Sequence, residues 1–427
     1  MTPALTDNTR KALKLCLLSL VNYGLFFGIG VFLARVLGIE GFKHYNVAIA
    51  TLALLSSFAT LGLEKYAQRA LTAYCESRQW DLARGFTLFG RNTVLLAAIL
   101  AVLLFVLVVT ARWLAVGTPP AWTTLVALLF LPIVVLASFM LEVLASTGEV
   151  VRSTFVYRFL FPLCFALPLF SIWISRLEVT AILAVLSYGA AWVVSFLLLR
   201  RLVFRSLPKE LMTADEVREP RRWLSRSAPF LIHSVMMTQF ASLGIVGLEI
   251  LGGDDHSVAI LAAAMQTGSF IVLLATSTNR LYGPIASSLI ERRDYNGIRA
   301  TIRERHSWII PATLIYFAAM IIFGRRILGL YGPEFAAGYP ALCFIAGGAS
   351  VSVWFAMAPN YLKFVGRNRL VLGITAAAAL LNVGLLAVLG PRFGATGAGA
   401  AYGISLAVMS IVFLVLGLKA AKNLQTT

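Results

Sequence analysis

The sequence predicts an all-α integral membrane protein whose twelve transmembrane helices form two parallel six-helix repeats. Three observations carry that prediction: long apolar stretches without charge, basic residues gathered in alternating loops, and a weak internal repeat offset by 214 to 215 residues. Composition agrees, with 59% hydrophobic and 13% charged residues and a mean hydropathy of +0.85. A soluble domain carries about a quarter charged residues.

A membrane helix needs roughly 20 apolar residues to cross about 30 Å of hydrocarbon. In chain order the predicted spans are 15–34, 45–63, 94–111, 113–141, 159–175 and 179–199, then 227–248, 257–279, 307–324, 335–362, 370–391 and 393–418. These lengths exclude an outer-membrane barrel, whose strands are about 10 residues long. The first span follows a polar N-terminal stretch and precedes no small-residue cleavage site, so it reads as a retained helix.

The formal charge of +17 has a topological distribution. With Met1 in the cytoplasm, 28 Lys and Arg fall on the inner side and 7 on the outer, and Arg158 alone lies within a span. That bias predicts a cytoplasmic-membrane protein with both termini inside, and it removes the need for a nucleic-acid partner. Cys16, Cys75, Cys164 and Cys343 are scattered without a pairing or metal-binding spacing.

The longest polar segment divides the chain into an N-terminal six-helix lobe (1–199), a cytoplasmic linker (200–226) and a C-terminal six-helix lobe (227–427). Leu33-Ala-Arg-Val-Leu-Gly38 recurs as Gly247-Leu-Glu-Ile-Leu-Gly252. Cys75-Glu-Ser-Arg-Gln-Trp-Asp-Leu-Ala-Arg84 recurs as Ile290-Glu-Arg-Arg-Asp-Tyr-Asn-Gly-Ile-Arg299. Six crossings are an even number, so both halves enter the membrane in the same direction, the parallel repeat that secondary transporters use.

Several of these stretches resemble the polysaccharide flippases of the multidrug/oligosaccharidyl-lipid/polysaccharide exporter superfamily. In the first half they are Phe32–Gly38 with Gly41 and Tyr45, then Leu61-Gly-Leu63 with Arg69. In the second they are Tyr282-Gly-Pro284 with Leu289 and Asp294, and Leu328-Gly-Leu-Tyr-Gly-Pro-Glu-Phe335. Gly366-Arg367, Leu381-Asn382 and Gly390-Pro-Arg-Phe-Gly-Ala-Thr-Gly-Ala398 complete the set. The resemblance implies two lobes forming a V with helices one, two, seven and eight lining a cavity. It further implies translocation of a polyprenyl-diphosphate-linked oligosaccharide to the periplasmic leaflet, with polysaccharide polymerase machinery as a candidate partner.

No phosphate loop and no metal-ligand spacing occurs, so neither ATP hydrolysis nor a cofactor or metal is expected, and the chain reads as a transporter rather than an enzyme. Ionisable groups at membrane depth are costly and therefore informative. Arg35, Lys65, Arg69, Arg280 and Lys363 read either as snorkelling anchors or as contacts to a diphosphate, which a guanidinium grips through two parallel hydrogen bonds. Arg280 falls one helical turn from the repeat counterpart of Arg69, which suggests that the two capture the diphosphate together. Asn22, Gln266, Asn279 and Thr267 read as packing residues or as partners for sugar hydroxyls.

Glu142 and Arg158 match in depth across the turn at Gly148 and are expected to form a structural ion pair, or alternatively to touch substrate. His233 and Glu249 are candidates for ion coupling. Gly24, Gly28 and Gly30 suggest close helix packing or a hinge, and Pro229 and Pro359 suggest kinks. Two competing functions stay open: a multidrug cation antiporter, which needs a buried carboxylate that helix one lacks between Asp7 and Glu40, and a non-transporting scaffold of a glycan-assembly complex.

Overall fold

The computed structural model describes residues 3–117, 121–292, 294–364 and 366–425, which form helices and turns with no strand among them. The first half comprises α1 Pro3–Ala59, α2 Leu63–Glu76, α3 Trp80–Val116, α4 Trp122–Leu128, α5 Leu131–Ser146, α6 Val150–Phe155, a π turn at Val156–Leu160, α7 Phe161–Ile174 and α8 Ala181–Ser206. Then follow α9 Lys209–Thr213, α10 Pro220–Ile250, α11 Asp255–Gly268, α12 Val272–Glu291 and α13 Tyr295–Gly329. After a short 3-10 turn come α14 Tyr339–Trp354, α15 Ala358–Phe364 and α16 Asn368–Gln425.

Nine described helices are long and apolar enough to span a membrane, and α4 with α5, bent by 42°, makes a tenth. Two of the nine are double. Leu17–Ala59 has 43 residues and Asn368–Gly417 has 50, or roughly 65 and 75 Å of helix against about 30 Å of hydrocarbon. Each leaves helical geometry near its middle, at Gly38 (φ 66°, ψ −174°) and at Gly394 (φ 53°, ψ −129°). Only glycine adopts such backbone angles without strain.

The chain folds back at both breaks. Phe26 stacks on Phe161 and Tyr45 on Phe165, with centroids 6.2 and 6.1 Å apart. The two phenylalanines are one turn apart on α7, whereas residues 26 and 45 of a straight helix would be nearly 30 Å apart, by about 1.5 Å per residue. At the second break a Cβ on Gly397 would lie 2.1 Å from the Leu389 carbonyl oxygen. Counting both hairpins, the described residues make twelve crossings. The fourth span, expected from 113, starts later: α3 continues to Val116 and stops at Gly117 (φ 75°). Apolarity runs on through that stop, so hydropathy alone misplaces it.

The chain packs as two compact units. The first comprises Leu13–Ile29 and Val36–Thr238. Its central helix is α5, against which α2, α3 and α8 pack. Phe139 on α5 is fully buried, in space that Gly90 of α3 leaves open. The polar segment at 200–226 is docked on this unit rather than loose. Arg84 donates to the Ala214 carbonyl at 2.5 Å, and Gly85 lies against the Val217 backbone. Trp223 is fully buried between Phe86 and Phe89, and its indole N–H donates to Tyr74 Oη at 3.0 Å. At the turn before α2, Gly62 (φ 67°) rests on the backbone of Ser227 and Leu231, where no Cβ fits.

The second unit comprises Gln239–Thr427 with Gly30–Arg35 and Met1–Ala12. Its core is built on α14 and α16, whose backbones touch where Gly348 meets Gly403; small residues allow this approach inside a membrane. Gly30 admits the Gln266 side-chain amide, while Gly24 and Gly28 meet nothing within 4 Å. The close packing expected at those two is therefore not seen, and Gly30 carries it alone. Arg305 of α13, which the sequence places among loop charges, is buried at 1% exposure. Its guanidinium donates to the carbonyls of Val353 (2.7 Å) and Trp354 (2.8 Å) and to Thr278 Oγ1 (3.3 Å). It thereby caps the C-terminus of α14, whose partial negative charge offsets its own.

Candidate functional site

Within the first unit one face of α1 presents Ser19, Asn22, Tyr23 and Phe26, spaced i, i+3, i+4 and i+7. That face meets the π turn. Pro162 has no N–H to offer the carbonyl four residues earlier, which is that of Arg158. The helix widens into a π turn there, and the Asn22 amide donates to the Arg158 carbonyl at 3.1 Å. The Arg158 guanidinium donates through Nη1 to Ser19 Oγ. Tyr23 and Tyr157 lie within electrostatic reach of one another and Tyr23 of Arg158, and the Phe161 ring stacks on Phe26 and packs at a tilt against Trp192. A half-buried guanidinium thus stands among hydroxyls, an amide and aromatic rings, with no carboxylate bound to it among the described residues.

The expected pairing of Glu142 with Arg158 is not what the structure contains. Lys65, in the first turn of α2, holds Glu142 Oε1 of α5 at 2.5 Å. Packing of α2 on α5 places the lysine closer to that carboxylate than the arginine of the next hairpin, a contact between helices far apart in sequence. Burial works against the Lys65 ammonium, but the carboxylates of Glu64 and Glu142 outweigh it and hold its pKa above the ordinary range. Arg69 sits one turn further along α2, exposed, and among the described residues it makes no ion pair.

The other expected positions are spread through the second unit, except His233, which belongs to the first. Arg35 donates through Nε to the Leu330 carbonyl at 2.6 Å, capping the end of α13. Gln266 accepts from Tyr331 Oη at 3.3 Å, and Thr267 donates to the same hydroxyl at 3.5 Å. Asn279 donates to the Ala356 carbonyl at 3.3 Å, in the break between α14 and α15. Lys363 is exposed at the end of α15. His233 and Glu249 are half-buried on α10, and the Arg280 side chain lies outside the described residues. The cluster therefore gathers Asn22 and Arg158 of the expected residues, with Lys65 and Glu142 paired nearby, and adds Ser19 and Tyr157. The spacing of Ser19 to Phe26 and the position of Pro162 relative to Arg158 are the sequence signals that point to it.

A family model described as polysaccharide biosynthesis protein matches residues 9–289. The chain belongs to that family. No curated protein sequence matches it significantly. Among solved structures, an inward-facing multidrug resistance MATE family transporter of the MOP superfamily is 15% identical, with 95% of each chain covered and a TM-score of 0.80. An outward-facing one is 14% identical, with 98% of this chain and 97% of the other covered and a TM-score of 0.69. A superfamily transporter from Pyrococcus furiosus, whose binding pocket is described as having reverse polarity, gives 14% identity, the same coverages and a TM-score of 0.69. At these identities the likeness concerns the fold: this polysaccharide biosynthesis family member is a multi-pass membrane protein with the fold of that transporter superfamily.

Proposed function

We propose that this chain moves a polyprenyl-diphosphate-linked oligosaccharide from the cytoplasmic to the periplasmic leaflet of a bacterial cytoplasmic membrane, with both termini in the cytoplasm. The observation that carries the reading is Arg158, a guanidinium in a membrane unit whose side chain, among the described residues, is bound by a hydroxyl rather than by a carboxylate. A half-buried cation at membrane depth without an anion is costly, and a diphosphate supplies one with the two-pronged geometry a guanidinium fits. Ser19, Asn22, Tyr23 and Tyr157 supply hydroxyls, an amide and rings suited to a glycan. Arg69 and Arg280, near the cytoplasmic ends of their helices by the charge bias, serve as the capture points for the diphosphate, and Arg35 receives it near the outer end. A membrane potential negative inside assists outward movement of the diphosphate by about 2.3 kcal/mol per charge per 100 mV.

A cation antiporter would use a carboxylate at this place: Glu142 is held by Lys65, and Glu64 beside them is the group that reading would need. The test is translocation of a fluorescent polyprenyl-diphosphate oligosaccharide in proteoliposomes. Arg158→Ala should reduce initial rate at least tenfold at equal protein incorporation, and Arg158→Lys should restore only part because it lacks the planar fork. Wild-type rates in Arg158→Ala would sink the assignment. Extrusion of an organic cation by the wild type would favour the antiporter.

A further inference from the structure

The exposed face of α8 is a continuous stripe. Ile182, Leu186, Val194 and Leu197 are each at least 40% exposed and follow one another at helical spacing. The stripe ends in an open groove lined by Leu197, Arg200, Arg201, Phe204 and Arg205. Leu197 is 56% and Phe204 52% exposed, and the Arg200 guanidinium stands 5.8 Å from the centroid of the Phe204 ring. Arg152, Arg218 and Arg222 each hold a glutamate, at 2.9, 2.5 and 2.5 Å. Arg200, Arg201 and Arg205 take no carboxylate among the described residues. Three unneutralised guanidiniums therefore cap an apolar track at what the charge bias makes the cytoplasmic surface.

We infer that this end of α8 binds the phosphate of an anionic membrane phospholipid. The track receives an acyl chain, the arginines receive the phosphate, and Phe204 marks the depth of the boundary between them. A soluble protein or a nucleic acid would match the arginines but not the apolar stripe that continues from them. Placed at a cytoplasmic surface, each basic residue attracts anionic lipid with roughly 1 kcal/mol, which is about fivefold in occupancy.

The test is native mass spectrometry of the full chain, purified from micelles containing equal phosphatidylglycerol and phosphatidylethanolamine. The wild type should retain phosphatidylglycerol preferentially. The R200Q/R201Q/R205Q variant should lose that preference by about fivefold per arginine replaced, while Arg367→Gln, an exposed arginine elsewhere, should leave it unchanged. Circular dichroism of the triple variant shows whether its helices are intact. An unchanged preference in a folded triple variant would overturn the inference. So would equal retention of both lipids by the wild type, or phosphatidylglycerol binding no better than phosphatidylethanolamine while polyprenyl diphosphate is captured, which would make the groove part of the substrate path. None of these readouts involves transport, so their failure leaves the flippase reading standing.

Discussion

Lys65 and Glu142 illustrate how little of an ion pair's identity is set by the depth of its charges. The sequence places Glu142 and Arg158 at matching depth, yet the carboxylate goes to a lysine 77 residues away. The Glu142 side chain is 19% exposed and that of Lys65 is 52% exposed. Removing the lysine leaves the more buried partner uncompensated, which costs more than the pair itself contributes. We expect a double-mutant cycle of Lys65→Ala and Glu142→Gln, read by thermal unfolding in micelles, to give a coupling of about 1 kcal/mol. The corresponding cycle of Glu142→Gln with Arg158→Ala should be additive. Coupling in the second cycle and none in the first would restore the pairing expected from depth.

At the scale of elements, glycines set where the two longest helices turn. Gly38 and Gly394 stand inside two of the stretches that resemble the flippase family, and the structure gives both a backbone role. An alanine at Gly394 meets two obstacles, the φ/ψ region and the Ser257 hydroxyl 2.5 Å from its Cβ. Gly394→Ala should cost about 1–3 kcal/mol, seen as a lower melting temperature. Gly373 of the same helix has a helical backbone and nothing within 4 Å of a Cβ. Gly373→Ala should be neutral or stabilising, because alanine loses less backbone entropy in a helix. Equal losses at the two positions would remove the hairpin account.

At the scale of the molecule, the loop charges predict which ends of the helices face the cytoplasm. Of the 35 basic residues assigned to loops, 28 lie on one side. A single cysteine at Gly117 or Gly253 should react with an impermeant thiol reagent added outside cells, and one at Asp215, exposed in the docked segment, should not. Labelling of Asp215 from outside would invert the topology, and with it the direction of transport and the leaflet in which the α8 groove lies.

Hydrophobic length, charge asymmetry and repeat offset are properties that a chain carries without folding, and they sufficed for the membrane class, the number of crossings and the family. They depend on how each residue partitions between water and lipid, a local quantity. Pairings are not local. Which carboxylate Lys65 meets, that Arg158 rests on Ser19 and Asn22, that Arg305 is a buried cap rather than a loop charge, and that Trp223 seals the docked segment all depend on which helix packs on which. The apolar composition of membrane helices leaves that choice almost unmarked, since lipid and protein are equally apolar neighbours and small residues and backbone hydrogen bonds decide it. The fold was therefore legible in the sequence, and the site became so only once the helices were packed.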